Sequence, residues 1–180
     1  SLVIGAAHAL VKLNDGEVVG DPMEKATLNA AGWIVGAKDC ASEEKLGKIQ
    51  ILRRFQFSSA LKRSSSIANH KNQTYVAVKG APETIRERLS TVPKNYDDIY
   101  KSFTRSGSRV LALASKKLPN LTNSQIDNLD REEMETGLEF NGFLVFHCPL
   151  KDDAIETIKM LNESSHRCVM ITGDNPLTAV

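Results

Sequence analysis

Several stretches of this chain place chemically able side chains where a phosphorylated, ring-bearing ligand could be held. Thr172-Gly173-Asp174 set a hydroxyl, a bare backbone N–H and a carboxylate directly after the apolar run Cys168–Ile171. The carboxyl end of a buried parallel strand is where open α/β sheets bind ligands. Asn175-Pro176 would begin the next helix, whose free N–H groups would face an anion at the same spot. Lys79-Gly80-Ala81-Pro82-Glu83 sets a cation beside a glycine that lets a ligand approach the backbone. Arg109, just after Gly107, has forked donors suited to phosphate. Phe57, between Gln56 and Ser58 and close to Lys62, offers a flat ring on which a base could stack.

Each feature also has an ordinary structural reading. A strand-to-helix turn accounts for Thr172–Asp174, an exposed lysine before a helix start for Lys79, and a surface arginine for Arg109. Core packing accounts for an alternating Phe57. Glu24 is explained by a capping box, and Lys62 to Ser66 by a solvated strand edge blunted by charge. The sequence contains no GxxxxGK[ST] loop, no GxGxxG after a strand, no GxSxG elbow and no protein-kinase signature set. A nucleotide, if bound, is bound by another design.

The elements that must position these residues follow from caps and periodicity. Asp21-Pro22-Met23-Glu24 predicts a helix to about Trp33, with Asp21 as N-cap, Pro22 at N1 and Glu24 closing the capping box. Gly36 to Gly47 reads as a loop. From Ile49 the period becomes two, with Phe55 and Phe57 on one face and Gln56 on the other. Ser64–Ala68 and Thr74–Val78 flank Asn69-His70-Lys71-Asn72 as a hairpin, and Pro82-Glu83 starts a helix to about Leu89. A helix over Tyr96–Ser106 stops at Gly107, and Val110–Ala114 is a strand. The spacing of Thr122 and Gln125 predicts a helix to about Thr136, followed by strand Leu138–Phe146. Asp153–Ser164 is an amphipathic helix with Ala154, Ile155, Ile158 and Leu161 on one face, and Cys168–Ile171 a buried parallel strand.

Composition narrows the function classes. The 180 residues carry 23 Lys+Arg against 22 Asp+Glu, a net charge of +1, which argues against sequence-independent binding to nucleic acid or an anionic membrane surface. Cys40, Cys148 and Cys168 form neither an even disulfide set nor a CxxC pair and read as reduced thiols. His8, His70, His147 and His166 lack zinc-ligand spacing and read as core or surface residues; no metal ligand is assigned. No run reaches the ~18 to 20 apolar residues that span a bilayer. The chain opens at Ser1 without methionine and stops a few residues after a strand and turn announce a new helix, so a piece of a longer protein is expected.

Taken in order, GDPMEKA, FSSALKR, KGAPE, SRVLALA and MITGDNPLTA resemble the cytoplasmic ATP-binding region of P-type ATPases, from about Val18 to the end. FSSALKR with CPLK and TGDNPLTA looks most like the type V branch of the endoplasmic reticulum, regarded as ATP-driven dislocases of transmembrane helices. The resemblance implies an α+β fold: an antiparallel sheet flanked by helices as the nucleotide-binding domain (1–147), a hinge (148–151), and a partial α/β, haloacid-dehalogenase-like phosphorylation domain (152–180). It implies that Phe57 stacks on adenine, that Glu24 and Lys62 line the base and ribose side, that Lys79 and Gly80 form the deep wall, and that Arg109 steadies the phosphates. Thr172, Gly173 and Asp174 would lie near the transferred phosphoryl group and its Mg2+. ATP and Mg2+ are thus the implied cofactors. The partners are the remaining phosphorylation, actuator and membrane domains of the same polypeptide, at the cytosolic side of the endoplasmic reticulum membrane. Two departures stand out. Cys148-Pro149-Leu150-Lys151 replaces the family's Asp-Pro-Pro-Arg, and the DKTGT and GDGxND segments do not occur, so the chain by itself is expected to be inactive. The alternative reading is a non-catalytic protein-interaction module with a degenerate nucleotide site.

Overall fold

A computed structural model describes residues 2–147 and 149–171. In chain order it contains α1 (Leu2–Ala6), β1 (Val11–Lys12), β2 (Val18–Val19), α2 (Pro22–Ala30), β3 (Ile34–Val35), β4 (Cys40–Glu43), β5 (Gly47–Ser58), β6 (Arg63–His70) and β7 (Gln73–Gly80). There follow α3 (Pro82–Arg86), α4 (Tyr96–Arg105), β8 (Arg109–Leu118), α5 (Asn123–Asp127), α6 (Arg131–Met134), β9 (Glu139–Phe146) and α7 (Ala154–Glu163). Strands β3 to β9 form one sheet in sequence order, antiparallel wherever the register is defined, while β1 and β2 make a separate small hairpin. This is the expected α+β architecture. The chain divides into two compact units, Ser1–Lys94 with Leu111–Leu144, and Asn95–Val110 with Val145–Val180. No helix among the described residues is long and apolar enough to cross a membrane.

In the first unit both faces of the sheet are covered. On one face Ile49, Ile51, Ala68 and Ala77 join Val3, Ala6, Leu28 and Trp33 in the core. Helix α2 ends three residues short of the expected Trp33 because Gly32 turns left-handed (φ 73°) and Trp33 N–H returns to the Leu28 carbonyl at 2.9 Å. That turn drives the indole into the core, where a Cβ on Gly5 would come within 2.6 Å of it. Helix α1 therefore packs on Trp33 through a bare backbone. On the opposite face Ile67, Val76 and Val78 are fully buried. The β6–β7 hairpin extends further than expected, to a two-residue turn at Lys71-Asn72 with both φ positive (49° and 64°), the geometry that matches strand twist.

Three expectations are corrected. Gly36 to Gly47 is not all loop, since Cys40–Glu43 pairs with β5. The helix expected from Thr122 to Thr136 is two short ones: Thr122 and Gln125 do form a capping box, but Asn128 ends α5 and the Asp130 carboxylate caps a second start. Beyond the exposed Lys62, the run to Ser66 is no solvated edge. Strand β6 is central, and Arg63, Ser65 and Ser66 are buried.

Arg63 survives burial because carboxylates meet it. Its guanidinium donates to Glu135 and Glu132, Ser65 Oγ donates to Glu135, and Arg131 Nε reaches Glu135 Oε1 at 2.9 Å. Arg88 binds the other Glu132 oxygen at 2.6 Å. Burial, the largest single influence, would lower the Arg63 pKa, but its hydrogen bonds to Glu135 and Glu132 and their charges together outweigh it and the net shift is upward. The Arg88 hydrogen bond holds the Glu132 carboxyl below its ordinary value.

In the second unit, α4 buries Tyr96, Tyr100 and Thr104 on one side, with the two rings edge to face at 5.9 Å. It stops as expected at Gly107 (φ 79°), where Ser108 N–H bonds the Phe103 carbonyl. Helix α7 forms over the expected stretch but buries none of its residues. Cys168–Ile171 is not the expected buried strand: it carries no ladder and its side chains are exposed. A parallel strand exists only through neighbours that pair it, and none is present among the described residues.

Glu135→Ala is expected to cost about 3 to 5 kcal/mol in urea denaturation, because it leaves the Arg63 charge buried without its carboxylate. Glu132→Ala, at a half-exposed position, should cost far less. Equal losses in the two variants would refute the assignment of Glu135 as the anchor.

Candidate functional site

The start of α2 is tied down twice. Asp21 Oδ1 accepts from Met23 N–H at 2.7 Å and Glu24 N–H at 3.1 Å, the expected N-cap with Pro22 at N1. The reciprocal half of the capping box is not the contact Glu24 makes. Its Oε2 accepts from Ala9 N–H at 2.9 Å, and its Oε1 forms an ion pair with Lys79 Nζ at 2.6 Å. One carboxylate thus joins the segment after α1, the first turn of α2 and the end of β7. Both members of the pair are largely buried, with side chains 15% and 16% exposed, so Lys79 is not the exposed lysine of the ordinary reading.

Phe57 is set apart by a break in the ladder. From Phe55 to Ser58 the chain advances three residues while its partner strand advances only two, from Ser65 to Arg63, which is a β-bulge. Phe55 and Phe57 both border one cleft, but the break in alternation leaves Phe55 half-buried and Phe57 exposed. Phe55 is flanked by the Arg53 guanidinium at 4.3 Å and that of Arg131 at 5.5 Å from its ring centre. Phe57 is 66% exposed, which excludes core packing. With Glu24, His8, Ala9, Arg54 and Ser64 it borders a narrow cleft.

The remaining candidates fall in different places. Lys62 lies in a tight turn (φ 49°), exposed, with its Nζ 3.8 Å from Glu83. Gly80 sits against that turn: a Cβ would come within 2.7 Å of both the Lys62 carbonyl oxygen and Arg63 Cβ, and Ala81 N–H bonds the same carbonyl. What approaches the Gly80 backbone is the protein's own chain, not a cleft opening for a ligand. Arg109 opens β8 and belongs to the second unit, apart from the unit that carries Phe57, Glu24 and Lys79. Thr172, Gly173 and Asp174 lie outside the described residues. Among the described residues no group of three His, Cys, Asp or Glu could hold a metal ion.

Two residues of the cleft escaped the sequence reading. His8 is 5% exposed; its Nδ1 accepts from Leu10 N–H at 3.1 Å, and its Nε2 has no partner. Arg54 Nε donates to the His8 carbonyl at 3.0 Å, and Arg54 pairs with Asp39. Burial first, then the Arg54 charge, push the His8 pKa from 6.5 to about 4; Glu24 opposes them, and Lys79 and Asp39 add smaller effects of opposite sign. A lone histidine within Ala6-Ala7-His8-Ala9 carries no spacing signal that could have flagged it. The cleft offers a flat ring, the Glu24 carboxylate and the Arg54 guanidinium, with the Lys79 ammonium held against that carboxylate. That set can bind and orient a heteroaromatic ligand. A larger apolar hollow bordered by Leu2, Val3, Ile49, Ala68, Tyr75 and Ala77 offers no charged group.

Because an unfolded His8 takes up its proton near pH 6.5 and the folded one only near pH 4, stability should be lost as pH falls through that window. The loss attributable to His8 is on the order of 3 kcal/mol. Chemical denaturation at stepped pH should show a shallower acid limb for His8→Asn than for the wild type; parallel limbs would rule the linkage out.

Comparison with known proteins adds an independent line. The family model described as P-type ATPase, cytoplasmic domain N, matches residues 6–153. The endoplasmic reticulum transmembrane helix translocase of Saccharomyces cerevisiae is 74% identical over 99% of this chain. That of Schizosaccharomyces pombe is 53% identical over 99%, and a probable manganese-transporting ATPase of Arabidopsis thaliana 45% identical over 98%. The chain spans only about 15% of the length of these relatives. With the family model covering most of its length and its motifs from GDPMEKA to SRVLALA falling on an antiparallel sheet with flanking helices, the chain belongs to the P-type ATPases and represents their cytoplasmic domain N.

Proposed function

We propose that this chain binds ATP in the Phe57 cleft and, within the whole ATPase, holds the nucleotide so that its terminal phosphate reaches an aspartate of the phosphorylation domain. The observation that carries the reading is an aromatic ring left 66% exposed beside a buried carboxylate–ammonium pair. Exposing that much apolar ring costs stability unless something stacks on it. Phe57 is the base platform, Glu24 and Lys62 lie on the base and ribose side, and Lys79 with Gly80 forms the deep wall. Since the Gly80 backbone is packed against the Lys62 turn, Gly80 acts by keeping that wall thin rather than by touching ligand.

Arg109 steadies the phosphates, and Thr172, Gly173 and Asp174 serve near the transferred group. Mg2+ arrives on the triphosphate, for which the described residues build no cage of their own. In this division residues 1–147 are the nucleotide-binding domain, 148–151 the hinge and 152–180 part of the phosphorylation domain. Positioning and electrostatics are the chain's contribution, and bond-making belongs to the absent aspartate. The whole enzyme works at the endoplasmic reticulum membrane with this domain on the cytosolic side, where phosphorylation drives the actuator and membrane domains to move transmembrane helices. The names of the yeast relatives support the endoplasmic reticulum and the transmembrane helix in that assignment.

Calorimetric titration tests the site. Phe57→Ala should weaken ATP binding roughly 5- to 150-fold, the equivalent of about 1 to 3 kcal/mol of lost stacking. Its melting temperature should stay near wild type, because an exposed ring supports little of the core. Unchanged affinity, or a collapsed fold, would overturn the platform. The chain contains no DKTGT segment, so incubation with Mg-ATP should leave no acid-stable phosphate on it. Stoichiometric covalent phosphate would refute that part of the reading.

A further inference from the structure

We propose that His8 reads the base. Its Nε2–H donates to a purine ring nitrogen flanking the 6-amino group, N1 or N7, while the Glu24 carboxylate accepts from that amino group, so the site takes adenine and rejects guanine. The inference deepens the nucleotide reading of the Phe57 cleft and rests on it.

The tautomer follows from geometry. Leu10 N–H donates to Nδ1 at 3.1 Å, so Nδ1 carries no hydrogen and the neutral ring bears its hydrogen on Nε2. Nothing among the described residues accepts that hydrogen. A buried donor without a partner is costly, and a residue that only filled the core would do so better as leucine or methionine. The ring stays neutral at physiological pH, since its protonation falls near pH 4. It is therefore a donor without a charge, suited to an uncharged ring nitrogen rather than to a phosphate.

Placement adds to this. Ala7, His8 and Ala9 all border the cleft that Phe57 and Glu24 border. Ala9 N–H is bound by Glu24 Oε2, so the clamp that fixes the acceptor also fixes the segment carrying the donor. Glu24 already accepts two hydrogen bonds, and a carboxylate has room for about four. Adenine presents a ring-nitrogen acceptor beside an amino donor on each edge that includes its 6-amino group. Guanine puts the O6 acceptor where that amino group stands and would turn it toward the Glu24 carboxylate. The His8 nitrogen is sealed from water, so a base reaches it only where the cleft lining opens to admit it.

The experiment titrates the 180-residue chain with ATP, GTP, 1-deaza-ATP and 7-deaza-ATP. The wild type should bind ATP more tightly than GTP, and one of the two deaza nucleotides about 3- to 10-fold more weakly than ATP, the effect of one neutral hydrogen bond. His8→Asn retains an oxygen near the Nδ1 position to accept from Leu10 N–H and lacks the distal donor. It should weaken ATP by the same factor and leave the affected deaza nucleotide unchanged. His8→Gln, which carries an N–H at the distal position, should restore part of the loss. Both deaza nucleotides binding the wild type as well as ATP would overturn the proposal, and this arm needs no variant to fold. So would a His8→Asn chain with a wild-type melting temperature and unchanged ATP affinity. Either result together with a loss in Phe57→Ala would remove His8 and leave the platform standing. A wild-type chain that does not bind ATP saturably would remove both.

Discussion

The candidate site depends on one carboxylate. Glu24 joins the segment after α1, the first turn of α2 and the last residues of β7 by accepting from Ala9 N–H and pairing with Lys79 Nζ. The pair is largely buried, where a charge is tolerated only with a partner close by, so neither residue can be lost without stranding the other. Helix α2 is consequently held at a set distance from the end of β7. Glu24 borders the cleft that Phe57 borders, so the same clamp fixes one part of its lining.

A second ion cluster serves the opposite face. Arg63, Ser65, Glu135, Glu132, Arg88 and Arg131 bind α6 to the centre of the sheet. Arg131 also reaches the Gln56 carbonyl at 3.4 Å and lies over the Phe55 ring, so the network grips β5 at its bulge. That grip explains how neighbouring aromatics come to different ends. Phe55 is held between two guanidinium groups, and the extra residue of the bulge leaves Phe57 to solvent. A strand that kept strict alternation would have put both rings on one face and left no platform.

The second unit carries the opposite lesson. Helix α7 has the composition and spacing of an amphipathic helix, yet Ile155, Ile158 and Leu161 are exposed, as are Val169, Met170 and Ile171. The helix keeps its shape without a side-chain N-cap bond because its backbone hydrogen bonds are internal. A strand requires neighbours, and Cys168–Ile171 has none among the described residues.

By itself the sequence determined what depends on near neighbours in the chain. The Asp21 cap, the Thr122–Gln125 capping box, the Gly107 stop and the β6–β7 hairpin were all legible, because each is satisfied within a few residues. The ordered motifs carried the family, and Phe57, Glu24 and Lys79 were named from them. Only the tertiary structure decided what those side chains meet. Glu24 turned from its local capping partner to Ala9 and Lys79, residues 15 and 55 positions away. Arg63, which reads as an exposed edge cation, was buried because Glu135 lies 72 residues downstream. His8, silent in the sequence, became an unpaired donor beside the cleft once the fold closed over it. The physical reason is common to all three: burial and pairing energies of charged and polar groups are set by partners brought together in space, on which spacing along the chain is silent.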